Sequence, residues 1–200
     1  MKMNNMLLPL EKIADNPLYL HEVFGDRYKV FEVEVGFSNA HFLREYANAN
    51  PKTALLGIEK KLKYFRRGQV NLERKLQQNN VKIINYDAYA VVRELIPLNS
   101  VDVFHFYFPD PWPKKRHREN RLLSADFLLV LYNRLKKFGV IQIATDHNDY
   151  AFFIKEQIKE LSPLFEKKSL TSEDRPIKTK WEKRKIKEGC DINYFCVKKL

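Results

Sequence analysis

Residues 101–118, VDVFHFYFPDPWPKKRHR, join the most strand-like segment of the chain to a loop of very different composition. Residues 101–108 are almost all apolar, aromatic or β-branched, which is typical of a strand. Residues 109–118 contain prolines, an acid, a tryptophan and a run of cations, which neither a helix nor a strand accommodates. Proline fixes φ and removes a backbone donor, so we expect a stiff loop that ends the strand.

Strands and helices alternate on both sides of this loop. The strand-like segments are 29–37, 53–59, 81–85, 101–108 and 139–145. The helix-like segments are 41–50, 60–78, 88–96, 124–137 and 147–161. Strands separated by helices of about ten to twenty residues predict an α/β fold: a doubly wound, mostly parallel sheet with helices on both faces.

The two ends of the chain depart from this alternation. Residues 1–28 carry prolines and a glycine and predict an irregular segment that covers one side of the molecule. Residues 29–200 predict a single domain. Its last strands, near 165–170 and at 190–199, flank a basic stretch at 178–188 with no long helix between them. This order predicts an antiparallel hairpin at one edge of the sheet.

The charge of the chain favours a polyanionic partner. Lys and Arg number 36 against 25 Asp and Glu, which gives a net charge of +11, and the excess clusters at 114–121 and 178–187. Nucleic acid is the partner that such a balance favours most. No apolar run approaches the roughly 20 residues that span a bilayer, so we expect no membrane partner and a cytoplasmic location. Monomer and homodimer both stay open.

The sequence predicts no metal site. The two cysteines, Cys190 and Cys196, lie close together near the C-terminus, and the five histidines are scattered. Neither set has the spacing of metal ligands. We expect both cysteines to be reduced thiols in the core.

Acidic residues lie at or beside the ends of the first five predicted strands. They are Glu34, Glu59, Asp87, Asp110 and Asp146. In open α/β sheets, ligands bind outside the carboxyl ends of the strands, so these acids predict a site there. Glu59 is placed to accept both ribose hydroxyls of a nucleotide, or is a solvated acid at a helix start. Asp87 is placed to bond an adenine amino group or to cap the next helix.

The loop after the first strand narrows the choice of cofactor. Gly36 begins the stretch GFSNA, where a dinucleotide fold requires G-x-G-x-x-G to bring its backbone close to a pyrophosphate. The loop lacks the second and third glycines, so NAD(P) is disfavoured. A cofactor with a nucleoside and no phosphates fits better.

Taken together, these residues resemble a known family. The stretch FPDPWPKKRH, followed by GVIQIATD-x-x-x-Y and then TKWE, is similar to the bacterial tRNA (guanine-N(7)-)-methyltransferases. The resemblance covers roughly residues 29–185. It implies a Rossmann-like class I methyltransferase that uses S-adenosylmethionine to methylate N(7) of a guanine in the variable loop of tRNA.

The resemblance also implies roles for individual residues. Cofactor binding is implied for Glu34, Gly36, Glu59, Asp87 and Asp110, and Asp110 is also the implied catalytic residue. Substrate binding is implied for Lys114, Asp146, Thr179, Lys180, Trp181 and Glu182. RNA binding is implied for Lys115, Arg116, His117, Arg118 and Arg121.

The first loop departs from the family pattern. Where the family has GFGxGxFL, this chain has GFSNAHFL, so Ser38 and Ala40 replace glycines. This departure motivates one alternative, a non-catalytic tRNA-binding module with a weakened cofactor site. A second alternative is a methyltransferase that acts on another nucleic-acid base. Its usual D/N-P-P-Y type of loop after the fourth strand is replaced here by PDPW.

Overall fold

The computed structural model describes residues 6–8, 17–175 and 177–200. In this part of the chain, seven strands form one sheet in the order β3-β2-β1-β4-β5-β7-β6. The strands are β1 (Val30–Val35), β2 (Thr53–Ile58), β3 (Val81–Ile84), β4 (Val101–Tyr107), β5 (Leu135–Thr145), β6 (Phe165–Lys168) and β7 (Asn193–Lys199). The first five are parallel, and β7 pairs antiparallel with both β5 and β6. The predicted α/β sheet with an antiparallel edge hairpin is confirmed.

Helices cover both faces of the sheet. They are α1 (Leu20–Phe24), α2 (His41–Ala49), α3 (Leu62–Lys75), α4 (Ala88–Ala90), α5 (Ala125–Arg134), α6 (Asn148–Glu160) and α7 (Lys180–Lys187). A π-helical turn continues α4 over Val91–Leu95, and a 3₁₀ helix covers Lys115–Asn120. Helices α2 and α3 pack on one face, while α4, α5 and α6 pack on the other. Because both faces are covered, all six residues of β2 are buried, as in parallel sheets generally.

Helix α5 is shorter than the predicted helix 124–137, because contacts from a distant segment end it. The backbone carbonyls of Asn133 and Arg134 accept hydrogen bonds from Asn99 and Ser100, just before β4. Leu135 then pairs with Val101 as the first residue of β5. Leu135 continues the apolar spacing of the helix, so periodicity alone does not show that the helix ends and β5 begins at this residue.

Helix α7 lies within the basic stretch 178–188, for which no helix was predicted. Thr179 caps it: its side chain accepts the Glu182 backbone N–H, and the Glu182 side chain accepts the Thr179 backbone N–H. This reciprocal pair is the capping box of the pattern T-x-x-E, which the sequence contains. The sequence signal for the helix start was therefore present.

The segment before β1 is described only in part, because residues 1–5 and 9–16 of the predicted cover segment 1–28 lie outside the described residues. Leu7 forms a parallel bridge with Ile83, and the Leu18 backbone N–H donates to Leu95. Near the other end of the chain, Cys196 is buried as predicted, but Cys190 is exposed because it precedes β7. No helix of the described residues has the length and apolar character needed to cross a membrane.

Candidate functional site

The strand-end acids lie along one edge of the sheet. Glu34 is the second-to-last residue of β1, and Glu59 and Asp146 directly follow β2 and β5. Asp87 and Asp110 lie three residues beyond β3 and β4. Because β1 to β5 are parallel, all five acids are at the carboxyl edge, where ligands of such sheets bind.

Glu34 is a buried acid with a free acceptor. Its Oε2 atom is buried and has no hydrogen-bond partner among the described residues. Burial raises the pKa of Glu34 to about 8, and the charge of Glu59 adds to the rise, although the Arg175 guanidinium and the Leu43 backbone N–H oppose it. An unpaired carboxyl oxygen of this kind is a buried acceptor that a donor or a cation from a ligand can satisfy.

Glu34 should make the protein less stable as the pH rises. Its pKa is 4.5 in the unfolded chain and about 8 in the folded state, so between these values the folded state alone holds the proton. The stability contribution is full below the unfolded pKa and falls by about 1.4 kcal/mol per pH unit as the pH rises toward the folded pKa. We expect Glu34→Gln to be about 2–4 kcal/mol more stable than wild type near pH 8, measured by urea unfolding across this range. Glu160→Gln, on the surface of α6, is the control and should keep the wild-type dependence of the unfolding free energy on pH. The same dependence in Glu34→Gln would contradict the prediction.

Glu59 connects the first loop to the second. Its Oε2 accepts the Ser38 backbone N–H at 3.0 Å, and its Oε1 accepts the Lys61 backbone N–H at 2.8 Å. Each oxygen keeps further acceptor capacity. The first loop keeps the backbone conformation that glycine favours, because Ser38 and Ala40 have φ of 49° and 54°. The residues that replace the family's glycines therefore still adopt left-handed backbone.

Two lysines at the start of α3 pair with acids of neighbouring loops. The Lys60 ammonium lies 3.1 Å from Asp87 Oδ2, and the Lys61 ammonium lies 2.7 Å from Asp110 Oδ2. Burial pushes the Asp87 pKa up, but the Ala90 backbone N–H and Lys60 outweigh burial and hold that pKa below its usual value. Asp87 also caps α4 through Ala90, so the predicted cap is present. Its other oxygen faces the lysine, which brings the loops after β2 and β3 together.

The cationic loop after β4 is anchored through Arg121. Its guanidinium donates to the Pro111 carbonyl at 3.0 Å, pairs with Asp149, and lies over the rings of Tyr150 and Phe153. The side chain is 2% exposed. Arg121 attaches the loop to α6 through these contacts. The RNA contact predicted for it stays a prediction.

The other cations of this loop face solvent. Lys114, Lys115 and Arg116 are exposed and form no ion pair within the described residues, and Arg118 pairs with Asp149 at 2.9 Å. His117 is half-buried, and its ring packs edge-on against Trp112 at 5.9 Å between centroids. The loop therefore offers free positive charge at 114–116, while Trp112 and His117 brace it.

Asp146 at the end of β5 meets α7. Its Oδ2 accepts the Trp181 indole N–H at 3.1 Å and lies 3.8 Å from the Lys185 ammonium. Trp181 is 43% exposed, and the Arg184 guanidinium covers one face of its ring at 4.1 Å. His147, not Asp146, caps α6, so Asp146 keeps its second oxygen for another partner.

Glu182 does not face solvent, although it was predicted as a substrate contact. The residue is 0% exposed and pairs with the Arg175 guanidinium at 3.1 Å. It also accepts the Tyr194 hydroxyl at 2.9 Å and completes the capping box with Thr179. All of these partners lie within the protein, and the substrate contact predicted for Glu182 stays a prediction. Glu182 attaches α7 to the core, and Thr179, Lys180 and Trp181 remain at its accessible end.

Arg175 is a further charged residue near the site, and no sequence pattern predicted a role for it. Its guanidinium stacks on Tyr107 of β4 at 3.6 Å from the ring centroid, and two of its nitrogens, Nε and Nη2, are buried with no hydrogen-bond partner among the residues described. Its positive charge pairs with the buried Glu182 and also acts on the buried Glu34, whose pKa it lowers. The sequence around Arg175, which precedes a proline, contains no pattern that predicts this role. Its partners Tyr107 and Glu182 come close to it only in the folded protein.

The candidate site does not coincide with a surface cavity at the opposite edge of the sheet. A cavity of about 260 Å³ is lined by Arg27, Tyr28, Pro51, Lys52 and 77–79. These residues lie near the starts of β1, β2 and β3, at the amino edge of the sheet. We take the carboxyl edge as the candidate site because the five strand-end acids and the unpaired Oε2 atom of Glu34 lie there. The described residues contain no cluster of three His, Cys, Asp or Glu side chains that could hold a metal.

Comparison with known proteins identifies relatives along most of the chain. A sequence profile of a family described as "Putative methyltransferase" matches residues 28–194. A tRNA (guanine-N(7)-)-methyltransferase of Thermotoga maritima is 40% identical over 68% of this chain and 42% of its own length. The enzyme of the same name from Nitrosococcus oceani is 36% identical over 88% of this chain and 74% of its own. The chain thus spans less than half of the first relative and about three quarters of the second.

Solved structures agree with the fold. A chain described as "Structure of an Antibiotic Related Methyltransferase" superposes with a TM-score of 0.61 at 19% identity, covering 90% of this chain and 91% of that one. At this identity the likeness concerns the fold alone. The shared architecture is that of class I methyltransferases.

Proposed function

Because this chain belongs to the family of tRNA (guanine-N(7)-)-methyltransferases, we propose that it transfers a methyl group from S-adenosylmethionine to N(7) of a guanine in the variable loop of tRNA. The observation that carries the proposal is the row of acids at the carboxyl edge beside an exposed cationic loop. A cofactor with a nucleoside and an ammonium group fits the acids, and a polyanion fits the loop. The expected compartment is the cytoplasm, where tRNA is modified.

The side chains present fit S-adenosylmethionine. The buried, unpaired Oε2 of Glu34 lacks the donor that an ammonium group supplies. Both oxygens of Glu59 are oriented by backbone N–H groups and keep acceptor capacity for two ribose hydroxyls. Asp87 adds an acceptor at the end of β3, and Gly36 with φ of 77° leaves the backbone open beside them. The residues therefore suit a nucleoside cofactor without phosphates.

The proposed chemistry needs positioning more than proton transfer. Guanine N(7) already has a free lone pair, so no general base is required to activate it. The cofactor supplies an electrophilic methyl group on a sulfonium. What the protein contributes is the in-line approach of the two partners, a proximity effect worth several orders of magnitude in rate.

Two carboxylates are suited to hold the guanine. Asp146 is fixed by the Trp181 indole and keeps one oxygen free, so it is our candidate for accepting the adjacent N–H donors of the guanine Watson–Crick edge. Asp110 lies on the stiff loop after β4, beside the carboxyl ends of β1 and β2. We assign it the role nearest the transferred methyl, as a positioning and electrostatic group.

The exposed cations would hold the RNA backbone. Lys114, Lys115 and Arg116 carry charge that no acid of the described residues neutralises. Such cations bind phosphates without reading sequence and release counterions, so binding becomes salt-dependent. His117 and Arg118 border this group.

The non-catalytic alternative rests on Ser38 and Ala40, and the backbone conformation of the first loop does not favour it. Both residues adopt a positive φ, the left-handed region that glycine favours, so their side chains do not prevent the backbone conformation that glycine would allow there. Calorimetry with S-adenosylmethionine and with its demethylated product separates the two functions. Binding of either compound favours the enzyme, and no binding favours the module.

We expect the protein to incorporate labelled methyl groups from S-adenosylmethionine into unmodified tRNA, with 7-methylguanosine as the product. Nucleoside analysis after digestion measures the product and its position. The matched control is the same tRNA with adenosine at the target position. Label in another nucleoside would favour the second alternative, and no label at all would overturn the proposal.

A further inference from the structure

Helix α7 carries three lysines on one face. Lys180, Lys183 and Lys187 lie within an arc of about 60° at 100° per residue. All three are exposed, and none forms an ion pair with any residue that the structure describes. The other cations of the helix are paired: Arg184 and Lys185 both contact Glu188. The free charge of α7 is therefore confined to one face.

These lysines do not hold the helix in place. Its attachment comes from the capping box and from the buried Glu182–Arg175 pair on another side of the helix. Like charges spaced three and four residues apart repel each other and destabilise a helix slightly. The lysine face thus opposes folding of the helix, whereas an external anion would relieve the repulsion.

The lysine face lies beside the candidate site. His41, the first residue of α2, has its pKa lowered by burial and then by the charge of Lys183, with a smaller contribution from Lys180. Helix α2 begins at the carboxyl edge of β1, so these lysines are near the same edge as the acids. Trp181, between them in sequence, contacts Asp146.

The two free cationic surfaces are on opposite faces of the sheet. Loop 114–118 is attached through Arg118 and Arg121 to α6. The segment around α7 packs instead with Phe42 of α2, through Ile177 and Tyr194. The strand-end acids lie between them. We propose that Lys180, Lys183 and Lys187 form a second tRNA phosphate-binding surface, so that the RNA backbone is held on both sides of the edge where the guanine reacts.

This inference rests on the proposed function and is tested through the salt dependence of tRNA binding. Replacing both Lys183 and Lys187 by Ala should remove two phosphate contacts and reduce the slope of log K against log salt by about 1.4–1.8. We expect tRNA affinity at about 0.1 M salt to fall at least about tenfold, with KM raised and kcat within about twofold of wild type. Fluorescence anisotropy with unmodified tRNA measures the slope, and the methylation assay measures KM and kcat.

Two further variants make the result specific. Lys155→Ala with Lys159→Ala removes the same charge from α6, which runs away from the carboxyl edge, and should keep the wild-type slope. Replacing Lys183 and Lys187 by Arg retains charge and should also keep the slope. If the α7 alanine variant and wild type have equal salt slopes, the proposal of a second phosphate-binding surface is wrong. It is also wrong if the α6 variant loses as much slope as the α7 alanine variant. A wild-type protein that neither binds nor methylates tRNA would instead overturn the proposed function.

Discussion

Asp110→Ala lowers the rate of methyl transfer to tRNA by about 100-fold or more. The carboxylate lies on the stiff loop after β4 and is placed to orient the guanine and the methyl group, and a misplacement of about 1 Å costs about that factor. The free energy of unfolding should change by less than about 1 kcal/mol, because the only ion pair of Asp110 within the described residues, with Lys61, is exposed. Single-turnover methylation and urea unfolding measure the two quantities.

Lys61→Met is the matched control for Asp110. It removes the same ion pair but keeps the carboxylate, so its rate should fall by less than about tenfold. A near-normal methylation rate in Asp110→Ala would contradict the catalytic role of Asp110. An equal loss in both variants would assign the effect to the ion pair.

Glu182→Ala lowers the free energy of unfolding by about 3–5 kcal/mol, because it leaves the Arg175 guanidinium buried without its partner. The change also removes the capping box and the acceptor of the Tyr194 hydroxyl. Denaturant unfolding measures the loss. Replacing Arg175 by Met and Glu182 by Leu together should recover most of the stability, since two apolar residues leave no buried charge.

Glu188→Ala is the matched control on the same helix. Glu188 is exposed and pairs with Arg184 and Lys185, so its loss should cost less than about 1 kcal/mol. If Glu182→Ala unfolds like wild type and loses only tRNA methylation, Glu182 contacts the substrate after all, and the structural role assigned here is wrong.

The sequence predicted the sheet because its signals are local. The apolar run of β2 and the alternating strands and helices arise from neighbouring residues, and these elements match within a few positions. The end of α5 was not predictable from neighbouring residues, because hydrogen bonds from Asn99 and Ser100 determine where the helix ends. Helix α7 was locally encoded by Thr179 and Glu182, and the cap pattern was the signal to use.

The candidate site was predictable in its location but only partly in its roles. Strand order along the chain places Glu34, Glu59, Asp87, Asp110 and Asp146 at one edge of any doubly wound sheet. The sequence could not reveal that Glu34 is buried and unpaired, or that Arg175 lies near it. Those facts depend on segments more than a hundred residues apart.

By itself, the sequence determined the fold class, the edge that carries the acids and the excess of positive charge. Only the tertiary structure decided which charges are free to meet a ligand. The loop FPDPWPKKRHR keeps Lys114 and Arg116 in solvent, whereas Arg121 pairs with Asp149 and Glu182 pairs with Arg175 inside the protein. A residue type sets the charge that a side chain can carry. Its burial and its partners come from chain segments brought together by packing, and these decide whether that charge supports the fold or binds a substrate.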